Sequence, residues 1–239
     1  MSVTKKLKSK IFAYTLSEVI LALLIAGIII MIILPVLYND INKRITVVSL
    51  KKVYSEMTQA VNRSKLIYGD VSSWNFDLPL NDFFNLYLCP YIKTTENTIA
   101  QSGVKYYQSC GKEETGLRVM GKNGIVYTTT SGVQFFTGPE ETKSNAHMTR
   151  CYGVDINGYK GPNRYGRDLF MLCIDPRING VIPHYTNDGE DSSAVKTRDE
   201  LINGKGSYNY QCNKINGRGM WCAALLIYDG WEIKSDYPW

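Results

Sequence analysis

This 239-residue sequence contains ionisable and sulfur-containing residues that could take part in catalysis or metal binding. Their spacing limits which reactions or metal sites are possible. The sequence has two histidines, His147 and His184, and it lacks the G-x-S-x-G, H-E-x-x-H and phosphate-binding glycine patterns. Its six cysteines include no C-x-x-C pair, which argues against a zinc site. We therefore expect no catalytic residues and no catalytic cofactor, and we keep a membrane-anchored extracytoplasmic enzyme as an alternative.

Glu18 is a lone carboxylate at the start of a long apolar stretch. From Val19 to Leu34 there is no charged residue, and apolar character continues past Pro35 to Leu37. At about 1.5 Å per residue, such a helix nearly crosses a hydrocarbon core of about 30 Å. A carboxylate in a membrane segment is costly and usually marks function. The plainer interpretation is a carboxylate favoured by the positive end of the helix dipole.

Residues 1–13 form a basic leader with four lysines and no acidic residue. Such a leader is expected to stay on the cytoplasmic side of a membrane, which sends the C-terminal part of the chain outward. No small-residue cleavage site follows Leu37, so the apolar stretch is expected to be retained in the mature protein.

The leader, the run Ala13-Tyr14-Thr15-Leu16-Ser17-Glu18 and the apolar helix together resemble the N-termini of type IV prepilins and of type II secretion pseudopilins. The resemblance implies cleavage after Ala13, methylation of the new Tyr14 amine, and pairing of Glu18 with that amine on a neighbouring subunit. Pro35 falls at the twenty-second mature position, where the family tends to carry proline. This sequence has Ala13 where glycine is usual and Tyr14 where phenylalanine is common.

This resemblance implies four segments: a leader peptide at 1–13, a transmembrane and assembly helix at 14–37, an amphipathic helix at 38–69, and a globular extracytoplasmic head at 70–239. The implied function is a structural subunit of a type IV pilus or a secretion pseudopilus. It would sit in the bacterial inner membrane with a cytoplasmic N-terminus and then in a filament in the periplasm or at the cell surface.

The implied partners are membrane lipid, copies of the chain and other pilin-like subunits, the prepilin peptidase and methylase, and an inner-membrane assembly platform. The alternative is a minor subunit at the filament tip that binds an adhesion target or DNA. Without the leader the chain carries 23 basic and 22 acidic residues, which argues against a nucleic-acid surface.

Apolar periodicity predicts an α+β fold with one long helix, from about Thr15 to Tyr68, followed by strands. The resemblance implies that this helix packs on an antiparallel, pilin-like head that contains disulfides. The helical stripe comprises Leu50, Tyr54, Met57, Val61, Ser64 and Tyr68, preceded by Ile41, Ile45 and Val48. A second helix is predicted over Leu80–Leu88.

Alternating patterns beyond that helix predict strands. They cover Leu117–Met120, Ile125–Thr130, Val133–Phe136, Cys151–Ile156, Leu169–Ile174 and Trp221–Tyr228, with a return at Trp231–Lys234. Thr94–Gly111 reads as loop, and residues 175–210 read as a long surface excursion where a partner would bind.

An even number of cysteines on the outward side of a membrane is typical of disulfides. Six cysteines allow 15 pairings, and the sequence alone does not choose among them. We expect neighbours to pair in order, which joins Cys89 to Cys110, Cys151 to Cys173 and Cys212 to Cys222.

Residues 155–168, DINGYKGPNRYGRD, resemble a turn segment that recurs in pilin-like heads. Asp155, Asn157 and Asp168 offer the oxygen ligands that calcium prefers, but their spacing differs from that of an EF-hand. We expect Asn157-Gly158 and Gly161-Pro162-Asn163 to serve as turns, with calcium binding as the alternative.

Overall fold

A computed structural model of the chain describes residues 15–99, 105–113, 125–136, 149–185, 196–204 and 208–239. Over these ranges the fold is α+β, with a long apolar N-terminal helix, an antiparallel six-stranded sheet and two disulfides. The predicted fold class is confirmed at this level. The chain divides into two compact units, residues 1–42 and residues 43–239.

Helix α1 runs from Leu16 to Tyr68, which confirms the predicted long helix, and Pro35 lies inside it. Its first buried residue is Thr46, and the buried face then comprises Leu50, Val53, Met57, Ala60, Val61 and Ser64. The sequence pattern was wrong to extend this stripe backward, because Ile41, Ile45 and Val48 are exposed. At 3.6 residues per turn, Val48 and Leu50 point to nearly opposite sides of the helix.

Within the described ranges, a short 3-10 helix at Val71–Ser73 and three further α-helices follow. Helix α2, Leu80–Tyr87, confirms the second predicted helix, and Pro79 occupies its N-cap position. Helix α3 spans Arg198–Asn203 and begins with a capping box between Thr197 and Glu200. Helix α4 spans Cys222–Tyr228.

The six strands lie in sequence order, and each pairs antiparallel with the next. They are β1 Thr94–Ile99, β2 Ile125–Thr129, β3 Gln134–Phe136, β4 Arg150–Asp155, β5 Leu169–Asp175 and β6 Gly180–Pro183. The predicted strands at 125–130, 133–136, 151–156 and 169–174 are confirmed as β2 to β5. The predicted strand Leu117–Met120 lies outside the described residues.

Three other predictions were wrong. Thr94–Ile99 is strand β1 rather than loop, because threonine and isoleucine favour strands and the polar composition suits a strand at the sheet edge. Cys222–Tyr228 is helix α4 rather than a strand, and Trp231–Lys234 forms no returning strand. Residues 175–210 contain β6 and α3, so they are not one irregular excursion.

The head is held together by aromatic packing between α2 and the sheet. The Phe84 ring stacks on Tyr127 with ring centroids 4.2 Å apart, and it lies 5.2 Å from Tyr152. Helix α1 also contacts the sheet, because the Tyr54 hydroxyl donates to the Val181 carbonyl of β6 over 3.0 Å. This packing fixes the strands that carry the loop described below.

Candidate functional site: the apolar helix and the Asp155–Asp168 loop

Hydrogen bonds between Thr15 and Glu18 cap the N-terminus of α1. The Glu18 carboxylate accepts hydrogen bonds from the Thr15 backbone N–H and the Thr15 hydroxyl, both over 2.8 Å. The Glu18 backbone N–H in turn faces the Thr15 hydroxyl oxygen at 3.4 Å. This reciprocal arrangement is a capping box, which satisfies N–H groups that a helix start leaves free. The predicted processing residues Ala13 and Tyr14 lie outside the described residues.

The N-terminal half of α1 is apolar and exposed. In the described part of the chain, α1 is the helix that is long and apolar enough to span a membrane. Between Leu16 and Asp40 every side chain is exposed except at Gly27, which is partly buried. A side chain added at Gly27 would meet no neighbour within 4 Å, so packing within the chain does not require glycine there.

Exposed apolar residues continue along α1 past the length needed to cross a bilayer. Ile41 and Ile45 are just over half exposed, and Val48 is 67% exposed. These positions are four and three residues apart, so they form a single stripe on one side of the helix. In the second unit of the chain, Ile45 and Val48 therefore point away from the core that Leu50 enters.

The second candidate region is the loop that joins β4 to β5. Asp155 ends β4 opposite Leu169, the first residue of β5, and the Ile156 N–H donates to the Asp168 carbonyl over 2.9 Å. The loop turns through positive φ angles at Gly158 and Asn163, which favour glycine and asparagine. The predicted turn chemistry at Asn157-Gly158 and at Asn163 is thus present.

Segments distant in sequence hold this loop in place. The Tyr107 N–H donates to the Asn163 carbonyl, and the Tyr165 N–H donates to the Tyr107 carbonyl, both over 2.9 Å. The Arg164 guanidinium donates to the carbonyl of Ser109. A loop fixed this firmly can hold side chains in a defined geometry.

Two further contacts anchor the later part of the loop. The Tyr237 hydroxyl donates to the Gly166 carbonyl over 2.7 Å, and the Thr46 hydroxyl of α1 donates to the Arg167 carbonyl over 2.8 Å. A β-carbon at Gly166 would come within 2.8 Å of the Cys222 sulfur, and Gly166 also has a positive φ, so glycine is required there.

The structure brings both predicted carboxylates of the loop into one buried cluster. Asp168 accepts backbone hydrogen bonds from Asn163 over 2.7 Å and from Arg164 over 2.5 Å. Asp155 accepts one from the Asn157 N–H over 3.0 Å. The third predicted ligand, Asn157, is exposed and directs its amide nitrogen toward Asp168 at 3.5 Å.

Burial makes the negative charge of these carboxylates unfavourable. Burial, with a smaller contribution from the Asp168 charge, raises the pKa of Asp155 to about 8. Burial also raises the pKa of Asp168, although hydrogen bonds from the Arg164 and Asn163 backbones oppose that rise. Burial raises the pKa of Tyr106 too, and the nearby Tyr159 and Asp155 add to the effect.

Two of the three expected disulfides are present. Cys151 is joined to Cys173 directly across β4 and β5, and Cys212 is joined to Cys222. The expected bond between Cys89 and Cys110 is not present, and both thiols are free. The Cys89 sulfur faces the Thr94 hydroxyl at 3.7 Å, whereas the Cys110 sulfur faces the Gln108 side chain at 3.5 Å.

Sequence reasoning missed two residues of these regions. Thr15 could have been found, because Thr-x-x-Glu ahead of an apolar run is the sequence pattern of a capping box. Gln134 could not have been found from the loop, because it comes from β3 and lies opposite Asp155 only through the register of the sheet.

Comparison with protein families gives one match. The model of DUF6613, described as a family of unknown function, matches residues 36–239. The chain belongs to this family. The DUF6613 match begins one residue after Pro35, so it contains both disulfides and the Asp155–Asp168 loop but little of the apolar stretch. Neither the curated proteins nor the solved structures that were searched gave a match.

Proposed function

We propose that this chain is a membrane-anchored structural subunit that polymerises through α1 into a filament of the type IV pilus or type II secretion pseudopilus kind. The observation that carries the proposal is the two-part character of α1. Its first half presents exposed apolar side chains, whereas one face of the helix from Thr46 to Ser64 is buried in the head. A helix of that design needs a second apolar environment.

A bilayer accounts for the first part of the exposed apolar surface but not for all of it. Ile45 and Val48 follow Lys43 and Arg44, which belong at or beyond the membrane interface. Membrane anchoring alone does not explain an apolar stripe there, since apolar surface exposed to water outside the lipid is unfavourable. Packing of α1 against α1 helices of neighbouring subunits would cover the stripe.

Apolar burial supplies the larger part of the assembly energy in this proposal. Outside the bilayer, each Å² of apolar surface buried contributes about 25 cal/mol. An exposed ion pair contributes up to about 1 kcal/mol. The pairing proposed for Glu18 with the Tyr14 amine of a neighbour therefore selects the register of the helices rather than driving their association.

The proposal includes maturation of the N-terminus. A prepilin peptidase removes residues 1–13 by cleavage after Ala13, and methylation of Tyr14 follows. Before assembly, the subunit is held in the bacterial inner membrane with its N-terminus in the cytoplasm. An assembly platform then transfers it into a filament in the periplasm or at the cell surface. The basic leader supports this orientation.

Mass spectrometry of the mature chain and shearing of cells test the proposal. We expect an N-methylated Tyr14 as the first residue, and we expect the chain in the high-molecular-mass sheared fraction. A mature chain that begins after Leu37, or one that occurs only as a soluble monomer, would contradict the proposal. Many copies along each fibre would indicate a major subunit, and a few at one end a minor subunit.

A further inference from the structure

In the described part of the chain, the carboxylates of Asp155 and Asp168 are buried together without a positively charged partner. Asp155 is fully buried and Asp168 is 3% exposed, and neither forms an ion pair with any residue that the structure describes. Backbone N–H groups satisfy part of each carboxylate. The Asp155 Oδ2 atom is nevertheless buried with no hydrogen-bond partner in the described ranges. A buried, unpaired acceptor of this kind is costly.

Gln134 provides a second unsatisfied oxygen on the same face of the sheet. It lies directly opposite Asp155 in the pairing of β3 with β4, so both side chains project to one side. Gln134 is 4% exposed, and its Oε1 atom is buried without a partner among the described residues. Its Nε2 atom donates to the Thr128 hydroxyl over 3.4 Å.

The position of Gly158 shows that the Gln134 amide lies beside the β4–β5 loop. Its Cδ and Oε1 atoms lie 3.8 and 4.0 Å from the place that a β-carbon on Gly158 would occupy. The Gly158 N–H is itself hydrogen-bonded to the Asp155 carboxylate. The Gln134 side chain therefore packs against the turn that holds Asp155. A third buried oxygen without a described partner, Asn163 Oδ1, belongs to the residue whose N–H binds Asp168.

Asp155 Oδ2, Gln134 Oε1 and Asn163 Oδ1 are thus three buried oxygen acceptors in or beside this loop that have no donor among the described residues. We propose that Asp155, Asp168 and Gln134 bind a calcium ion through their side-chain oxygens, with the β4–β5 loop forming the wall of the site. Calcium prefers carboxylate and amide oxygens in flexible arrangements of six to eight ligands, whereas magnesium demands a near-ideal octahedron and keeps most of its waters. Asn157 is exposed and lies beside Asp168, so the proposed site is close to the protein surface on that side.

This inference is independent of the filament role, since it concerns the head alone. It changes the predicted ligand set, because Gln134 supplies the amide oxygen in place of Asn157. A proton on Asp155 would also satisfy its Oδ2 atom, and that competing arrangement predicts no response to calcium.

The test uses the full chain in detergent micelles after treatment with EGTA. Calcium at about 100 times its Kd is expected to raise the Tm by roughly 5–10 °C, and magnesium by much less. Terbium binding provides a direct readout, because this calcium substitute emits when a nearby tyrosine is excited, and Tyr106 and Tyr159 lie close to the site.

Matched variants separate the calcium site from general effects on folding. Asp155→Asn should abolish both the calcium shift and the terbium signal, and Gln134→Met should weaken calcium binding roughly tenfold or more. Asp175→Asn is the control. Asp175 is another fully buried carboxylate, but it lies at the opposite end of β5 from the loop and is paired with Arg177. It should leave the calcium shift unchanged.

Two results would overturn the proposal. They are the absence of a calcium shift in the unaltered chain, which would identify a protonated Asp155, and a shift in Asp155→Asn equal to that of the unaltered chain. Should Asp155→Asn fail to fold, the terbium signal of the unaltered chain and the affinity of Gln134→Met decide the question in the same way.

Discussion

The Glu18 carboxylate accepts a hydrogen bond from the Thr15 backbone N–H over 2.8 Å, so the acid predicted to act between subunits also caps its own helix. The two roles make different demands on the side chain. Capping requires an oxygen acceptor, which glutamine also provides in a capping box. Pairing with a neighbouring amine requires the negative charge.

Glu18→Gln therefore tests the assembly role more sharply than Glu18→Ala. We expect both variants to insert in the membrane and to be cleaved after Ala13, and we expect both to lose filaments because the charge is absent. The measurement is the amount of chain in the sheared fraction, with the N-terminal residue determined by mass spectrometry.

Thr15→Ala is the matched control for this pair. It removes the capping hydroxyl but leaves the carboxylate, so filaments should persist at a level near that of the unaltered chain. Normal filaments from Glu18→Gln, together with a loss in Thr15→Ala, would show that Glu18 acts as a cap alone.

The exposed stripe of α1 gives a second prediction. Val48→Lys places a charge on a residue that is 67% exposed, so the free energy of unfolding of the head should change by no more than about 0.5 kcal/mol. Filament formation should nevertheless be lost, because the charge would be buried between subunits. Thermal unfolding of the detergent-solubilised chain and the sheared fraction measure the two effects separately.

Leu50→Ala and Gln59→Lys are the control variants for Val48→Lys. Leu50 is fully buried, and its truncation should destabilise the head by about 2–5 kcal/mol. Gln59 is exposed and polar, so adding a charge there should leave stability unchanged and tests whether any added lysine blocks assembly. A Val48→Lys chain that still assembles would place the stripe outside the subunit contact.

Elements with long, regular patterns were predictable from the sequence. The 53-residue helix and strands β2 to β5 follow from apolar spacing that only one secondary structure accommodates. The polar edge strand β1 and the short helix α4 were not. The run Cys222–Leu226 is buried throughout, and a short run that is apolar on every side does not distinguish helix from strand.

The candidate site was predictable only in part for a similar reason. Asp155 and Asp168 lie in one loop, so their proximity follows from chain connectivity. Gln134 joins them through the register of β3 on β4, which local sequence does not encode. The pairing of Cys151 with Cys173 follows from neighbouring strands, whereas Cys89 and Cys110 fall on segments whose separation in space depends on the whole fold.

The cysteines give a third prediction. Peptide mapping without reduction should find Cys151 linked to Cys173 and Cys212 linked to Cys222. Alkylation of the unreduced chain should label only Cys89 and Cys110. Replacing either bonded pair by serine should lower the free energy of unfolding by about 2–4 kcal/mol. The 22-residue separation of the first pair exceeds the 10-residue separation of the second, so its loss should cost about 0.7 kcal/mol more.

The double variant Cys89→Ser with Cys110→Ser is the control for the disulfide measurements. Neither sulfur is bonded to another, so the change in unfolding free energy should be within about 1 kcal/mol. A disulfide peptide that joins Cys89 to Cys110 would contradict the structure at this point.

The fourth prediction concerns acid stability and rests on Arg198. Its guanidinium donates to both carboxylate oxygens of Asp229, over 2.7 and 3.0 Å, and to both oxygens of Asp236 over 2.7 Å. Burial alone would raise the pKa of Asp229, but hydrogen bonds from Arg198 and Lys234 lower it below its usual value. Hydrogen bonds from Arg198 also lower the pKa of Asp236.

A carboxyl group whose pKa is lower in the folded state stabilises the fold above its unfolded pKa, which is about 3.9 for aspartate. That stabilisation is lost as the pH falls through the lower folded value. We therefore expect the Tm to decline steeply below about pH 4. In Arg198→Met this decline should be weaker, and the free energy of unfolding at pH 7 should drop by about 2 kcal/mol, because Asp229 keeps a nearly buried carboxylate with one cation fewer.

Arg63→Met is the control for Arg198→Met, since Arg63 is an exposed arginine on α1. It should change neither the Tm at pH 7 nor the slope of the Tm below pH 4. Thermal melts of the full chain in detergent between pH 2.5 and 7 measure both quantities. If Arg198→Met and the unaltered chain lose stability in parallel as the pH falls, then other carboxylates set the acid limit, and the contacts of Arg198 do not couple the C-terminal segment to α3 in solution.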